Sequence, residues 1–200
     1  MNDNSYDILI VGVGGQGVLL ASEILSEAAM SAGFDVKKSE IHGMSQRGGV
    51  VSSHVRIAPK VYSPTIQEGQ ADILLSFEQA EGLRAITWLK KGGIAIVSRT
   101  TLIPAIVTSS RKYHYPLDAV AEMKKKLNRV IGVEADKIAG ELGNPRLVNT
   151  ILLGILSNYM SFDYDLWIET IKSKVKPKLV DINITAFKRG RDISLSAVKA

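Results

Sequence analysis

The 200-residue chain contains no cysteine. That absence excludes disulfides, a thiolate nucleophile, cysteine-ligated zinc and any iron–sulfur cluster ligated by cysteines of this chain alone. Aromatic residues are scarce at 6%, and the formal charge is only +5. Lys and Arg are scattered apart from Lys124-Lys125-Lys126, which reads as a solvated helix face. A nucleic-acid surface needs clustered cations with stacking rings, so no nucleic-acid partner is expected. Long apolar runs are missing as well. The longest, residues 150–156, falls far short of a membrane span, and no basic segment precedes the apolar run near the N-terminus. The expectation is a soluble, cytoplasmic protein with no membrane partner. The three histidines, His42, His54 and His114, have no metal-ligand spacing, so no metal site is expected. No G-x-S-x-G elbow is present to mark a serine hydrolase.

What the chain does have is alternation. Residues 7–11 form a short apolar run ending in glycines, the mark of a strand buried on both faces. Residues 15–32 read as a helix, with Val18, Ala21, Leu25, Ala28 and Ala32 on one face and Gly33 placed to end it. Residues 34–41 read as a second strand, completing a βαβ unit. The rhythm then breaks. Residues 42–49 are a polar, glycine-rich loop, and residues 50–58 alternate Val51, Ser53, Val55 and Ile57 against Ser52, His54 and Arg56. This is a half-buried strand of antiparallel character, expected near one edge of a sheet.

Strands are expected at residues 71–77, 94–98 and 130–133, with weaker candidates at 102–107 and 112–115, and helices at 78–91 and 118–129. The C-terminal third is helical, with apolar stripes through Val148, Leu152, Ile155 and Tyr159, through Ile168, Ile171 and Val175, and through Leu179, Ile182 and Ala186. No linker, repeat or low-complexity block interrupts residues 1–200. The fold class is α/β: a three-layer α/β/α, Rossmann-like domain, its sheet mostly parallel with one antiparallel insertion. Trp88 and Trp167 fall in amphipathic stretches and read as core or subunit contacts.

Two loops carry the chemistry. Gly12-Val13-Gly14-Gly15-Gln16-Gly17 is a G-x-G-x-x-G segment between a strand and a helix. Its glycines allow a tight turn, and the free N–H groups of a helix start can hold an anion. In a dinucleotide site an acid at the end of the second strand holds a ribose hydroxyl; Glu40 is near that place, with Lys37 and Lys38 beside it. The alternative is that these glycines only let the first helix pack closely on the first strand. His42-Gly43-Met44-Ser45-Gln46-Arg47-Gly48-Gly49 offers an imidazole, a hydroxyl, an amide, a guanidinium and three glycines. Such a loop binds an anion or docks a partner; otherwise it is a plain connection with Arg47 in solvent.

With Ser53-His54-Val55-Arg56-Ile57, the 71–78 segment ADILLSFE and the late Asn183-x-x-Ala186-Phe187, these two motifs closely resemble the gamma-type subunit or domain of the pyruvate/ketoisovalerate and other 2-oxoacid:ferredoxin oxidoreductases. The likeness covers nearly the whole chain and is nearest to the beta subunit of the indolepyruvate branch. It implies an oxidoreductase subunit, inactive alone, within an assembly of α₂β₂ type. The companion alpha-type subunit is expected to carry thiamine diphosphate, Mg²⁺ and [4Fe–4S] clusters, coenzyme A is the co-substrate, and ferredoxin takes the electrons. Gly12, Gly14, Gly15, Gln16, Gly17, His42, Gly43, Ser45, Gln46, Arg47, Gly48 and Gly49 become the candidate ligand- or partner-binding residues, with no catalytic residue in this chain. Composition agrees, since the chain has no cysteine and no G-D-G thiamine diphosphate anchor. Two other readings stay open: a stand-alone NAD(P)-binding oxidoreductase, and a non-catalytic nucleotide-binding domain.

Overall fold

The computed structural model describes residues 5–43, 49–103 and 114–197, with side chains to residue 193. Six strands form one sheet: β1 (Tyr6–Val13), β2 (Asp35–His42), β3 (Val50–Ala58), β4 (Ala71–Ser76), β5 (Leu89–Ser98) and β6 (Val130–Val133). Their order is β2-β3-β1-β4-β5-β6. Strand β3 pairs antiparallel with both β1 and β2, while β1, β4, β5 and β6 pair in parallel. The antiparallel insertion is thus one strand wedged between β1 and β2. It is second from the edge, and β2 is the edge strand. The carboxyl ends of the other five strands and the start of β3 share one end of the sheet.

Helices lie on both faces. The larger core holds Ile8 and Ile10 of β1 beneath α1 (Val18–Ser31), α4 (Ala135–Glu141), α5 (Val148–Ser157), α6 (Tyr164–Lys174) and α7 (Val180–Ala197). The smaller core holds Leu9 and Val11 of the same strand beneath α2 (Gln79–Arg84) and α3 (Ala119–Lys126). Central β1 is therefore buried on both faces, as a continuous apolar run requires. A Cβ on Gly154 of α5 would overlap the Phe187 carbonyl oxygen, and one on Gly190 of α7 the Ile151 carbonyl oxygen. These two glycines let α5 and α7 cross backbone to backbone.

Several expectations change. The first helix begins at Val18, not residue 15, because Gly15 and Gly17 have φ of +93° and +87°. The helix expected over 78–91 is cut into α2, a 3₁₀ turn at Ile86–Trp88 and the first residues of β5. Its helical spacing was misleading: Leu83, Ile86 and Leu89 lie in three successive elements that pack on one core. Helix α4 was not anticipated; it is short and buries only Ala135 and Ala139. His54, read as part of a polar face, is buried, its ring edge-on to Trp88 with centroids 5.1 Å apart. Residues 104–107 and 112–113 of the two weaker strands lie outside the described residues, and 102–103 and 114–115 form no strand.

Candidate functional site

The first glycine loop and the described ends of the second, Gly43 and Gly49, lie at the carboxyl end of the sheet and touch; His42, read as part of that loop, is the last residue of β2. The Gly14 N–H donates to the Gly49 carbonyl at 2.9 Å, and the Gly43 N–H to the Val50 carbonyl at 2.7 Å. Ser45, Gln46, Arg47 and Gly48 lie outside the described residues; His42, Gly43 and Gly49 border them. Gly12 is confined: a Cβ there would sit 2.9 Å from Gln16 Oε1, Phe77 Cβ and Val18 Cγ2. The Gln16 side chain ties the first loop down, accepting from the Val13 N–H at 2.7 Å and donating to the Phe77 carbonyl at 2.9 Å. Gly12 and Gln16 therefore shape the loop from inside. Gly14 and Gly15 are its exposed rim.

Gly17 caps α1 in the left-handed region, and no side chain caps the helix among the described residues. The first intrahelical bond is from the Ala21 N–H to the Gly17 carbonyl at 3.0 Å. The N–H groups of residues 18–20 thus have no intrahelical acceptor, and the first turn carries no acid. Asn149, only 4% exposed at the start of α5, lies against this cap. Its Nδ2 is 3.1 Å from the position a Gly17 Cβ would take. Its Oδ1 accepts from the Thr150 N–H at 2.8 Å, the Thr150 hydroxyl donates to Asn183 Oδ1 at 2.7 Å, and Asn183 Nδ2 donates to the Leu179 carbonyl at 2.8 Å. The late motif residue Asn183 thereby holds the start of α5 in place from α7. Asn149 was missed in the sequence because nothing local separates it from any other helical asparagine.

Glu40 does not stand where a ribose-binding acid would. Strand β3 separates it from β1, and neighbouring strands are about 4.8 Å apart, so it is displaced by about one strand spacing. Its carboxylate meets Lys38 Nζ at 2.9 Å and the Ser22 hydroxyl at 3.3 Å. At the end of β4, buried Glu78 caps α2 by accepting the Glu81 N–H at 2.9 Å, and it also accepts the Tyr115 hydroxyl. Burial, reinforced by that bond to Glu78, pushes the Tyr115 phenol up to about 12. Glu78 thus holds the 114–116 segment against the sheet end.

A model of the pyruvate ferredoxin/flavodoxin oxidoreductase family matches residues 7–193. The chain belongs to this family. Over 192 residues it is 41% identical to the indolepyruvate oxidoreductase subunit IorB of Thermococcus kodakarensis, covering 92% of this chain and 94% of that protein. Over 193 residues it is 40% identical to the subunit of the same name from Archaeoglobus fulgidus, covering 95% and 96%. Among solved structures, the gamma subunit of a keto/oxoacid ferredoxin oxidoreductase from Geobacter sulfurreducens has a TM-score of 0.71 at 24% identity, over 96% of this chain and 99% of that one. The 2-oxoglutarate:ferredoxin oxidoreductase of Magnetococcus marinus, solved with 2-oxoglutarate, coenzyme A and succinyl-CoA bound, has a TM-score of 0.75 at 19% identity, over 98% of this chain and 32% of that one. At these identities the structural likeness speaks for the fold.

The donor set bears on which groups this oxidoreductase-family chain can hold. It has no thiolate to ligate a [4Fe–4S] cluster. No three His, Asp or Glu side chains converge on a metal-sized space among the described residues. No described helix is long and apolar enough to cross a membrane.

Proposed function

We propose that the chain is the cluster-free subunit of a cytoplasmic 2-oxoacid:ferredoxin oxidoreductase of the indolepyruvate type, and that its glycine loops hold an anionic part of coenzyme A or the 2-oxo acid. The observation that carries this reading is the end-to-end match, at about 40% identity, to proteins named as a subunit of indolepyruvate oxidoreductase. In the overall reaction the carboxylate of a 2-oxo acid leaves as CO₂, the acyl carbon bonds to the thiol sulfur of coenzyme A, the thiol proton is released to solvent, and two electrons pass to ferredoxin, one to each of two molecules. Thiamine diphosphate with Mg²⁺ and [4Fe–4S] clusters, when bound in the companion alpha-type subunit, supply carbanion stabilisation and electron transfer.

This chain binds and orients. The uncapped N–H groups at the start of α1, the adjacent Asn149 amide and the Arg47 guanidinium from the second loop are donors, a set suited to a phosphate or carboxylate. Of the eight large apolar side chains left most exposed among the described residues, six lie at this same end by topology: Leu19, Ile41, Val50, Leu102, Ile103 and Leu117. Such a concentration suits an obligate partner. A stand-alone NAD(P) enzyme is the weaker reading, because Glu40 is displaced by a strand and already paired with Lys38.

Co-expression with the large subunit, followed by assay with several 2-oxo acids, coenzyme A and an artificial electron acceptor, tests the proposal. The assembled protein turns over aryl pyruvates, and the isolated chain shows neither turnover nor iron. Ferredoxin reduction by the isolated chain, tight nicotinamide binding to it, or failure to assemble with the large subunit overturns the reading.

A further inference from the structure

The start of α1 presents only donors. The N–H groups of residues 18–20 have no acceptor among the described residues, neither within the helix nor from a side chain. Gly17 leaves them uncovered. It has φ of +87°, and the Cβ it lacks would stand 3.1 Å from Asn149 Nδ2 and 3.5 Å from Asn149 Cβ and Cγ. The helix start and the Asn149 amide therefore border one small opening beyond the end of β1.

Which end of that amide faces the opening is set by main-chain groups, since an N–H can only donate and a carbonyl only accept. The Thr150 N–H occupies Asn149 Oδ1 at 2.8 Å, which turns Nδ2 toward Gly17. The Leu179 carbonyl takes Asn183 Nδ2 at 2.8 Å, which leaves Asn183 Oδ1 to accept the Thr150 hydroxyl at 2.7 Å. That hydroxyl is 3.2 Å from Asn149 Oδ1 as well, and its one proton serves the shorter contact. Asn149, Thr150 and Asn183 are all buried. Yet no described residue accepts from Asn149 Nδ2. The described side-chain atoms sealed from solvent without a partner are Ser53 Oγ and Trp167 Nε1, so Asn149 Nδ2 is reached from the opening. A buried network is thus complete at every group but one, and that one points outward.

We propose that Asn149 Nδ2 donates to a bound oxyanion at the start of α1, and that Thr150 and Asn183 are positioning residues that hold the amide toward it. The inference rests on the ligand reading above. The helix N–H groups and the amide offer no acceptor, so the group they take must supply acceptors alone, as a phosphate or a carboxylate does. A phosphate of coenzyme A and the carboxylate of the 2-oxo acid share this chemistry. The relay from α7 fixes the amide in one orientation before the anion arrives, so no ordering cost falls on binding.

The test uses the full chain co-expressed with its large subunit. Calorimetric titration gives the Kd of coenzyme A, and steady-state assay gives the KM of the 2-oxo acid. Asn149→Ala weakens one of them by roughly tenfold or more, the scale of a hydrogen bond to a charged group. Asn149→Asp, which keeps the bond to the Thr150 N–H, weakens it further by repulsion. Loss confined to coenzyme A identifies the phosphate, and loss confined to the KM identifies the carboxylate. Thr150→Val and Asn183→Ala each weaken the same constant by roughly threefold, and Thr150→Ser restores it. In the Asn149→Ala background Thr150→Val adds no further loss, because its effect passes through that amide. If the Asn149 variants lower the urea midpoint and move neither constant, the proposal is wrong. If they weaken binding but Thr150→Val does not, or its effect survives without Asn149, the positioning role is wrong and the ligand reading stands. If the parent assembly neither binds coenzyme A nor turns over a 2-oxo acid, both fall.

Discussion

The side-chain amide of Gln16 donates to the main-chain carbonyl of Phe77 at 2.9 Å across the carboxyl ends of β1 and β4. The same amide accepts from the Val13 N–H at 2.7 Å. One glutamine thus closes the first glycine loop and anchors it to the neighbouring strand. Gln16→Ala leaves a donor and an acceptor unpaired in a half-buried place, a loss of about 2 kcal/mol. Gln16→Glu keeps the acceptor and loses the donor, so it should fall between the two. Urea unfolding of the three proteins checks the order; equal midpoints would remove the structural role.

The crossing of α5 and α7 predicts a larger effect. Gly154→Ala and Gly190→Ala each press a methyl group onto a main-chain carbonyl, and neither helix backbone can yield as a flexible side chain would. A loss of about 3 kcal/mol or more is expected for either, because overpacking here moves whole helices. Gly140→Ala in α4 is the control. Its Cβ meets nothing within 4 Å, so a helix-propensity gain of about 0.5–1 kcal/mol is expected.

Burial holds the His54 imidazole below its ordinary 6.5, and its Nδ1 accepts from the Ile66 N–H at 3.3 Å. The folded state therefore prefers the neutral ring. The stability from this preference is fully present above pH 6.5 and drains away as pH falls toward the depressed folded value. His54→Asn, which keeps an acceptor but cannot titrate, should flatten that acid limb. Melting temperatures from pH 7.5 down to pH 4.5 decide it, and an unchanged slope counts against the assignment.

The anion-holding role of the loops separates from a purely structural one through two variants. Arg47→Ala should leave assembly intact and weaken the apparent affinity for coenzyme A or the 2-oxo acid by roughly tenfold or more, the scale of one charge-assisted hydrogen bond. Asn149→Asp places a carboxylate at the start of α1, where the helix dipole welcomes it, so the free chain should lose no stability. The same charge repels an incoming anion, so the Michaelis constant for coenzyme A should rise. Unchanged kinetics in both variants would sink the ligand role, as would failure of the Arg47 variant to assemble.

Much of the architecture was legible from local pattern. The apolar run of β1, the alternation of β3 over Val50–Ala58 and the stripes of the C-terminal helices are short-range signals, and each became the element its period implied. Part of the first glycine motif was legible too, since Gly12 is confined by its neighbours and Gly15 and Gly17 take a positive φ. The 78–91 stretch was not: residues from three elements burying side chains on one core can mimic helical spacing.

Sequence by itself determined the chemistry this chain lacks, because a side chain that is absent cannot be supplied by folding. It also determined the periods of the main elements and the place of the first glycine loop. Tertiary structure alone decided that β3 enters between β1 and β2, which displaces Glu40 from the glycine loop. It decided that Asn149, far along the chain, closes on Gly17, and that His54 is buried under Trp88 while Ile41 is left open. The reason is physical. Periodicity depends on residues within a turn or two, whereas strand order, helix crossing and exposure depend on which distant surfaces fill the same space.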